Sequence, residues 1–380
     1  MHEEENSVQK SFFPVLLLLH AIGMETLPIG KRLEQTHFER ILWNVPKYLI
    51  GFLHFFLITF QSVNTLLVPD RKISISVLLV MLSQAFLNFR AYRSRKHFLI
   101  IVNKISNTSS LFSSVDKSRN LMTSVTVYCV LMILLLMSYG ILLLYSSGYT
   151  FLQNGRDESE FMSKKLKEHF SILFHISVII ATAVSSLVFT SISVYYGLVS
   201  IYFSTLCGRL KLQVQNVKDS WDCGRVIYVY LKIREIVESL EHFMCSLAFV
   251  IVVSTMTGLF HMGYSMIFIS KDGCIDYLCY LGGGLFHFSI IGTVLVSGSS
   301  ANTGAEGAKE AVMSLPGIFP KWYNELKAIL RKDCKQKPCL TLWKIYKIDR
   351  SLIITAMGVL MNYGILIATL GTVSRCNEKI

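Results

Sequence analysis

Ser351, Thr355, Gly358, Asn362, Ile365, Thr369 and Thr372 recur at alternating steps of four and three. In an α-helix that spacing lays them along one face. The face carries hydroxyls, an amide and a glycine, interrupted only by Ile365, and residues 351–373 around it contain no Lys, Arg, Asp or Glu. Such a stripe has two uses in lipid. Small residues let a neighbouring backbone approach closely, which makes a packing seam. Several copies about an axis instead line a wet pore, where Ile365 or its neighbour Leu366 forms an apolar ring that closes the path by dewetting.

Other chemistry is sparse. Of the histidines in uncharged runs, His175, His261 and His287 lie on the middle helices, but no acidic residue or cysteine stands at ligand spacing beside them. A metal site is therefore not expected, and no cofactor is implied. Cys334 and Cys339 lack partner histidines, which argues against zinc. Cys274, Cys279 and Cys376 fall on the side read below as extracellular, where a disulfide could form. No catalytic constellation, phosphate-binding glycine loop or nucleotide motif is present, so the chain reads as a non-enzyme. Gly282, Gly283 and Gly284 sit inside an apolar run and read as close packing or a flexible point.

The elements that carry these residues follow from composition. With 52% hydrophobic and 16% charged residues over 380 positions, the chain is too apolar for an ordinary soluble domain. A bilayer core about 30 Å thick takes roughly 20 apolar residues of helix. Seven uncharged runs stand out, at 48–68, 73–89, 121–145, 170–206, 243–270, 277–300 and 351–373. The expected fold class is thus all-α, a polytopic membrane protein of seven transmembrane helices. An eighth apolar stretch, 11–24, is too short to span and reads as a re-entrant or interfacial helix. Glu3, Glu4 and Glu5 precede it where a leader peptide would be basic, so no cleaved leader is expected.

Lys and Arg accumulate in cytoplasmic loops. Of the 37 basic residues, 28 fall before the first run, between runs two and three, between four and five, and between six and seven. The N-terminus is therefore placed in the cytoplasm and the C-terminus outside. The formal charge of +12 is explained by topology, and nucleic acid is not an expected partner. This orientation is opposite to that of a G-protein-coupled receptor. All seven prolines lie outside the runs, so proline-kinked spans are not expected. The spans also lack the charges that a proton-coupled or ion-coupled transporter uses. A receptor, a channel, or both remain.

Run four, 170–206, would be roughly 55 Å long as a helix, far beyond the hydrocarbon core. Its end should project into the cytoplasm. Residues 224–242 carry Ile227, Tyr230, Leu231, Ile233, Ile236, Val237 and Leu240 at amphipathic spacing and lead into run five, so a hairpin returns near 207–242. A further helix is expected after Pro320, with Trp322, Tyr323, Leu326, Ile329 and Leu330 on one side and Lys327, Arg331 and Lys332 on the other. These apolar faces pack within the subunit or on neighbouring subunits.

In these respects the chain resembles the arthropod gustatory and odorant receptor superfamily, and its gustatory branch most. The resemblance spans nearly the whole sequence: the N-in topology, the opening Phe13-Pro14-Val15-Leu16, the long fourth and fifth helices, and the last helix entered through Ile348-Asp349-Arg350-Ser351-Leu352. Gustatory receptors carry Thr-Tyr, five apolar residues, then Gln-Phe in that helix. Here the register reads Asn362-Tyr363, Gly364-Ile365-Leu366-Ile367-Ala368, then Thr369-Leu370.

The resemblance implies a ligand-gated, non-selective cation channel in the plasma membrane, formed by four like or related subunits and opened by a small-molecule tastant. A metabotropic receptor or a small-solute transporter is the alternative. It implies a cytoplasmic segment at 1–47, a ligand-binding bundle at 48–300, cytoplasmic anchor helices at 301–350, and a pore helix with an outer tail at 351–380. Thr369 takes the pore-facing Gln position and Leu366 lies one turn below. The implied ligand pocket, in the outer halves of the middle helices, would use Tyr139, His175, Phe260, His261, Tyr264, Tyr280, Phe286 and His287. Aromatics with a few polar tips suit a small organic ligand. Ordinary packing explains each of them singly.

Overall fold

A helix satisfies its own backbone hydrogen bonds, which is why uncharged runs in lipid fold as helices. Over its described residues, each of the seven runs falls on one. The computed structural model describes residues 2–24, 37–67, 71–112, 123–138, 140–141, 164–217, 220–268, 274–319, 323–333, 339–359, 361–362 and 364. In chain order the elements are α1 (His2–Ala21), α2 (His37–Leu67), α3 (Arg71–Arg93), α4 (Arg95–Ser109), α5 (Thr123–Ser138), α6 (Lys164–Gln215), α7 (Ser220–Phe268), α8 (Cys274–Met313), α9 (Leu315–Ile318) and α10 (Tyr323–Asp333). An antiparallel hairpin of β1 (Thr341–Leu342) and β2 (Tyr346–Lys347) follows, then α11 (Arg350–Val359).

Helices α6, α7 and α8 are each long and apolar enough to cross a membrane. At 52 residues α6 is roughly 78 Å long, so it projects far beyond the hydrocarbon. The returning arm and the fifth run are one continuous helix, α7, of 49 residues. Residues 188–200 of α6 are buried without a break, and α8 packs along both α6 and α7. Small residues permit that closeness: a Cβ on Gly197 would come within 2.9 Å of the Thr293 methyl. Gly282 and Gly284 have open space where a Cβ would stand, so they are not the close contacts of α8.

Phe52, Phe55, Phe89, Leu131, Leu134 and Ile179 are exposed. A protein that turns such residues outward is solvated by lipid there. Helix α1 packs on α4 and α6 through Phe12, Val15, Leu16 and Leu19, while Phe13 and Leu17 on its other side stay exposed. The Phe12 ring stacks on Tyr202 at 5.3 Å. Deeper in, Phe98 of α4 lies edge-on to both Tyr195 of α6 and Phe243 of α7, each at 4.6 Å, and the Tyr195 hydroxyl donates to the Phe98 carbonyl at 3.0 Å. Such aromatic pairs contribute about 0.5–1.5 kcal/mol each beyond their area. They join the inner ends of three helices.

Helix α2 starts at His37, so it includes Pro46, which stands ahead of the uncharged run. Two sequence expectations are corrected. The stretch 301–350, expected to be anchor helices, ends in the β-hairpin, where Trp343 and Lys344 adopt positive φ of 52° and 58° and turn the chain. In α10, Leu326 and Leu330 are buried as expected. Tyr323 is exposed, however, and Lys327, one turn on, donates to its hydroxyl at 2.9 Å.

Candidate functional site

Asp349 stands just ahead of α11, where its carboxylate accepts from the Leu352 N–H at 2.8 Å and so caps the first turn. Leu352, Ile353 and Ala356 pack against the protein core. The other side, with Ser351, Thr355 and Asn362, is exposed, as are Ile354, Met357 and Met361. A Cβ placed on Gly358 or Gly364 would meet nothing within 4 Å. Over its described residues, Ser351, Thr355, Gly358 and Asn362, the polar stripe is thus not a packing seam inside this chain. An amide facing hydrocarbon is costly, so the stripe calls for water or a second subunit. Of the gate and pore residues named above, Tyr363, Ile365, Leu366, Thr369 and Leu370 lie outside the described residues.

The hairpin ahead of α11 is held to the long helices by polar contacts, buried at Asn302 and more open elsewhere. Asn302 of α8 donates to the carbonyls of Leu340 and Ile348 at 2.9 and 2.7 Å and accepts from the Leu340 N–H at 2.6 Å. Glu241 of α7 accepts from the Thr341 N–H at 2.8 Å and from its hydroxyl. The Trp343 N–H donates to the Cys245 carbonyl at 3.1 Å, and its ring sits edge-on to Phe249 at 4.9 Å. Lys347 pairs with Glu306 at 2.6 Å, and that hydrogen bond raises the Lys347 ammonium above its ordinary range. Sequence reading had missed this joint. Its one sequence signal is an Asn at the inner end of an apolar run.

A second cluster forms where α6, α7 and α8 meet near mid-membrane. His287 of α8 is buried and lies against Gly258 of α7, close enough that a Cβ there would come within 2.5 Å of the imidazole. Phe189 of α6 and Phe286 are edge-on to the same ring at 6.5 and 5.4 Å. His261, half-buried on α7, is within electrostatic reach of it. The His287 Nδ1 has no hydrogen-bond partner among the described residues, and neither has the buried Ser265 hydroxyl. A neutral imidazole offers one donor and one acceptor.

The remaining pocket candidates scatter. His175, Tyr264 and Tyr280 are half-buried. Phe260 is exposed and stacks along its own helix on Tyr264 at 6.5 Å. Tyr139 lies outside the described residues. Phe189 and Gly258 were not read from sequence, since a phenylalanine and a glycine in apolar helices carry no distinguishing signal. Tyr128 of α5 joins the same face of α8 at a lower level, its hydroxyl 2.6 Å from that of Thr293. No group of three or more His, Cys, Asp or Glu is gathered as a metal site among the described residues. Cys274 is an exposed free thiol.

No family model matches the sequence, and neither does any curated protein. The fold is informative where the sequence is not. The structure of insect olfactory receptor OR5 from Machilis hrabei in complex with eugenol superposes with a TM-score of 0.71, covering 97% of this chain and 100% of that one at 11% identity. The chain has the seven-helix membrane fold of the insect olfactory receptors. The structure of the same receptor titled without eugenol agrees, with a TM-score of 0.70 at the same coverage and identity.

Proposed function

We propose that the chain is a chemosensory receptor of the insect gustatory and odorant type, acting as a ligand-gated, non-selective cation channel of four subunits in the plasma membrane. The exposed stripe of α11 carries the reading. Ser351, Thr355 and Asn362 are exposed; the Thr355 hydroxyl donates to the Ser351 carbonyl at 2.9 Å, while the Asn362 amide is costly against lipid, and four copies about an axis give it water. The likeness to insect olfactory receptor OR5 over almost the full length of both chains supports it. Ile365 or Leu366 forms the apolar gate, Thr369 the polar ring above, and Tyr363 and Leu370 flank them.

The activating ligand is a small organic tastant bound within each subunit. The cluster of His261, His287, Phe189 and Phe286 supplies what such a molecule needs, an aromatic surround and an unpartnered imidazole nitrogen. His175, Tyr264 and Tyr280 lie on the same helices toward the outside.

Patches excised from cells expressing the chain test the reading, with sugars, bitter compounds, amino acids and volatiles applied in turn. Current within milliseconds, in solutions free of nucleotides and soluble transducers, is the expected result. Responses of intact cells that vanish on excision would assign a metabotropic receptor instead.

A further inference from the structure

A cavity of about 420 Å³ opens between the inner ends of α6 and α8 beside the start of α11. Its walls include two cations, Lys211 and Arg350, and the hydroxyls of Ser204, Ser300 and Thr303, with no carboxylate among the lining residues. Neither Lys211 nor Arg350 has a hydrogen bond or ion pair among the described residues. The nearest acidic side chain in sequence on α8, Glu306, is engaged by Lys347. The Ser204 and Thr303 hydroxyls donate to the carbonyls of Ser300 and Ser299, so the two cations are the groups left to receive an oxyanion.

The depth of the cavity points to the source of that anion. After its uncharged run, α6 meets its first charge at Arg209, α8 at Glu306, and α11 enters the membrane from Arg350. All three transitions surround this cavity, so it sits at the level of the inner-leaflet headgroups. Toward the membrane the flanking surface turns apolar and open, with Ile201 43%, Val296 59% and Ile354 73% exposed. That is where acyl chains run.

We propose that this groove binds the phosphate headgroup of an anionic inner-leaflet phospholipid, held between Lys211 of α6 and Arg350 of α11. The headgroup ties the entry of α11 to α6. On the reading of α11 as a pore helix, the lipid thereby tunes opening, and the binding itself does not depend on that reading.

Native mass spectrometry of the purified full-length chain in detergent tests the site. The probes are dioctanoyl phosphatidylserine, dioctanoyl phosphatidylinositol 4-phosphate, dioctanoyl phosphatidylcholine and inorganic phosphate. Saturable binding of the two anionic lipids is expected, with phosphatidylcholine and inorganic phosphate at least about tenfold weaker. Replacing both cations, Lys211→Gln with Arg350→Gln, should weaken the anionic lipids about tenfold or more. The pair Arg93→Gln and Lys96→Gln removes equal charge from the exposed cytoplasmic side of α3 and α4 and should change little. Gly307→Leu adds bulk to the groove wall at a position where a Cβ would meet nothing within 4 Å, and should block binding in a folded protein.

Equal losses in the two charge pairs would show a diffuse basic surface and overturn the site. Full competition by inorganic phosphate would assign a free anion, and phosphatidylcholine binding as tightly would remove the charge argument. No lipid binding by the wild type, with Gly307→Leu breaking up the oligomer, would make the groove a subunit contact. Lipid binding in a protein without ligand-evoked current keeps the site and sinks the channel, while current without lipid binding does the reverse.

Discussion

The side-chain amide of Asn302 donates to the main-chain carbonyl of Ile348 at 2.7 Å, fixing the chain just ahead of α11 to the inner end of α8. Both residues are buried. The same side chain accepts from the Leu340 N–H, so the two ends of the hairpin are closed by one residue.

Asn302→Ala leaves the Leu340 N–H and the Ile348 carbonyl buried without that partner, at about 1–3 kcal/mol per group. Thermal melting of the detergent-solubilised protein should fall by several degrees. Asn302→Asp should fare no better, since a carboxylate would face the Ile348 carbonyl. Unchanged melting in both would mean the hairpin is held by Glu241 and Trp343 alone. In recordings, the loosened α11 should raise ligand-independent current.

His287→Phe separates stability from ligand sensing. It removes a buried nitrogen that lacks a partner, so melting should be unchanged or slightly higher. Ligand potency should drop about tenfold or more, as when one buried hydrogen bond to a ligand is lost. Gly258→Ala acts on the same ring from the other side, where its methyl would need the imidazole or α8 to shift. Potency left intact in both variants would place the ligand elsewhere.

Leu366→Ala, or failing that Ile365→Ala, should raise conductance in the absence of ligand, because a smaller ring holds water when the path is meant to be shut. Thr369→Gln should alter conductance or selectivity with ligand sensitivity broadly kept. Single cysteines from Asn362 to Thr372 offer a check by charged thiol reagents. A pore shows modification at steps of three or four, faster with ligand, and uniform protection would leave only a seam between subunits.

Topology can be read from tags. An epitope at the N-terminus should be reached by protease only after permeabilisation, and one at the C-terminus without it. Asn107 belongs to a sequon and is exposed on α4. This helix is tied to the inner arm of α7 by the 2.9 Å Lys104–Glu235 ion pair. The site should therefore stay unglycosylated in cells, and a glycan there would invert the orientation.

What the sequence determined by itself was the helices, their order and their direction. Runs without charge cannot leave backbone groups bare in lipid, so each run is a helix wherever it sits in the bundle. Lys and Arg then orient the set through a loop-by-loop rule that needs no contact map. The stripe on α11 was legible for the same reason, since it depends only on one helix's own period. Its use was not. Only the packed structure shows Leu352 and Ile353 turned to the core and Thr355 and Asn362 turned away.

The joint and the clusters were decided by tertiary structure alone. Asn302 meets its partners 38 and 46 residues away, Thr341 meets Glu241 100 residues away, and Gly258 earns its place only because His287 of another helix lies against it. Periodicity records which face of a helix is apolar but not the neighbour it faces. That neighbour is set by how side-chain shapes interlock where helices cross, and each partner is written at a distant, unpatterned position in the chain.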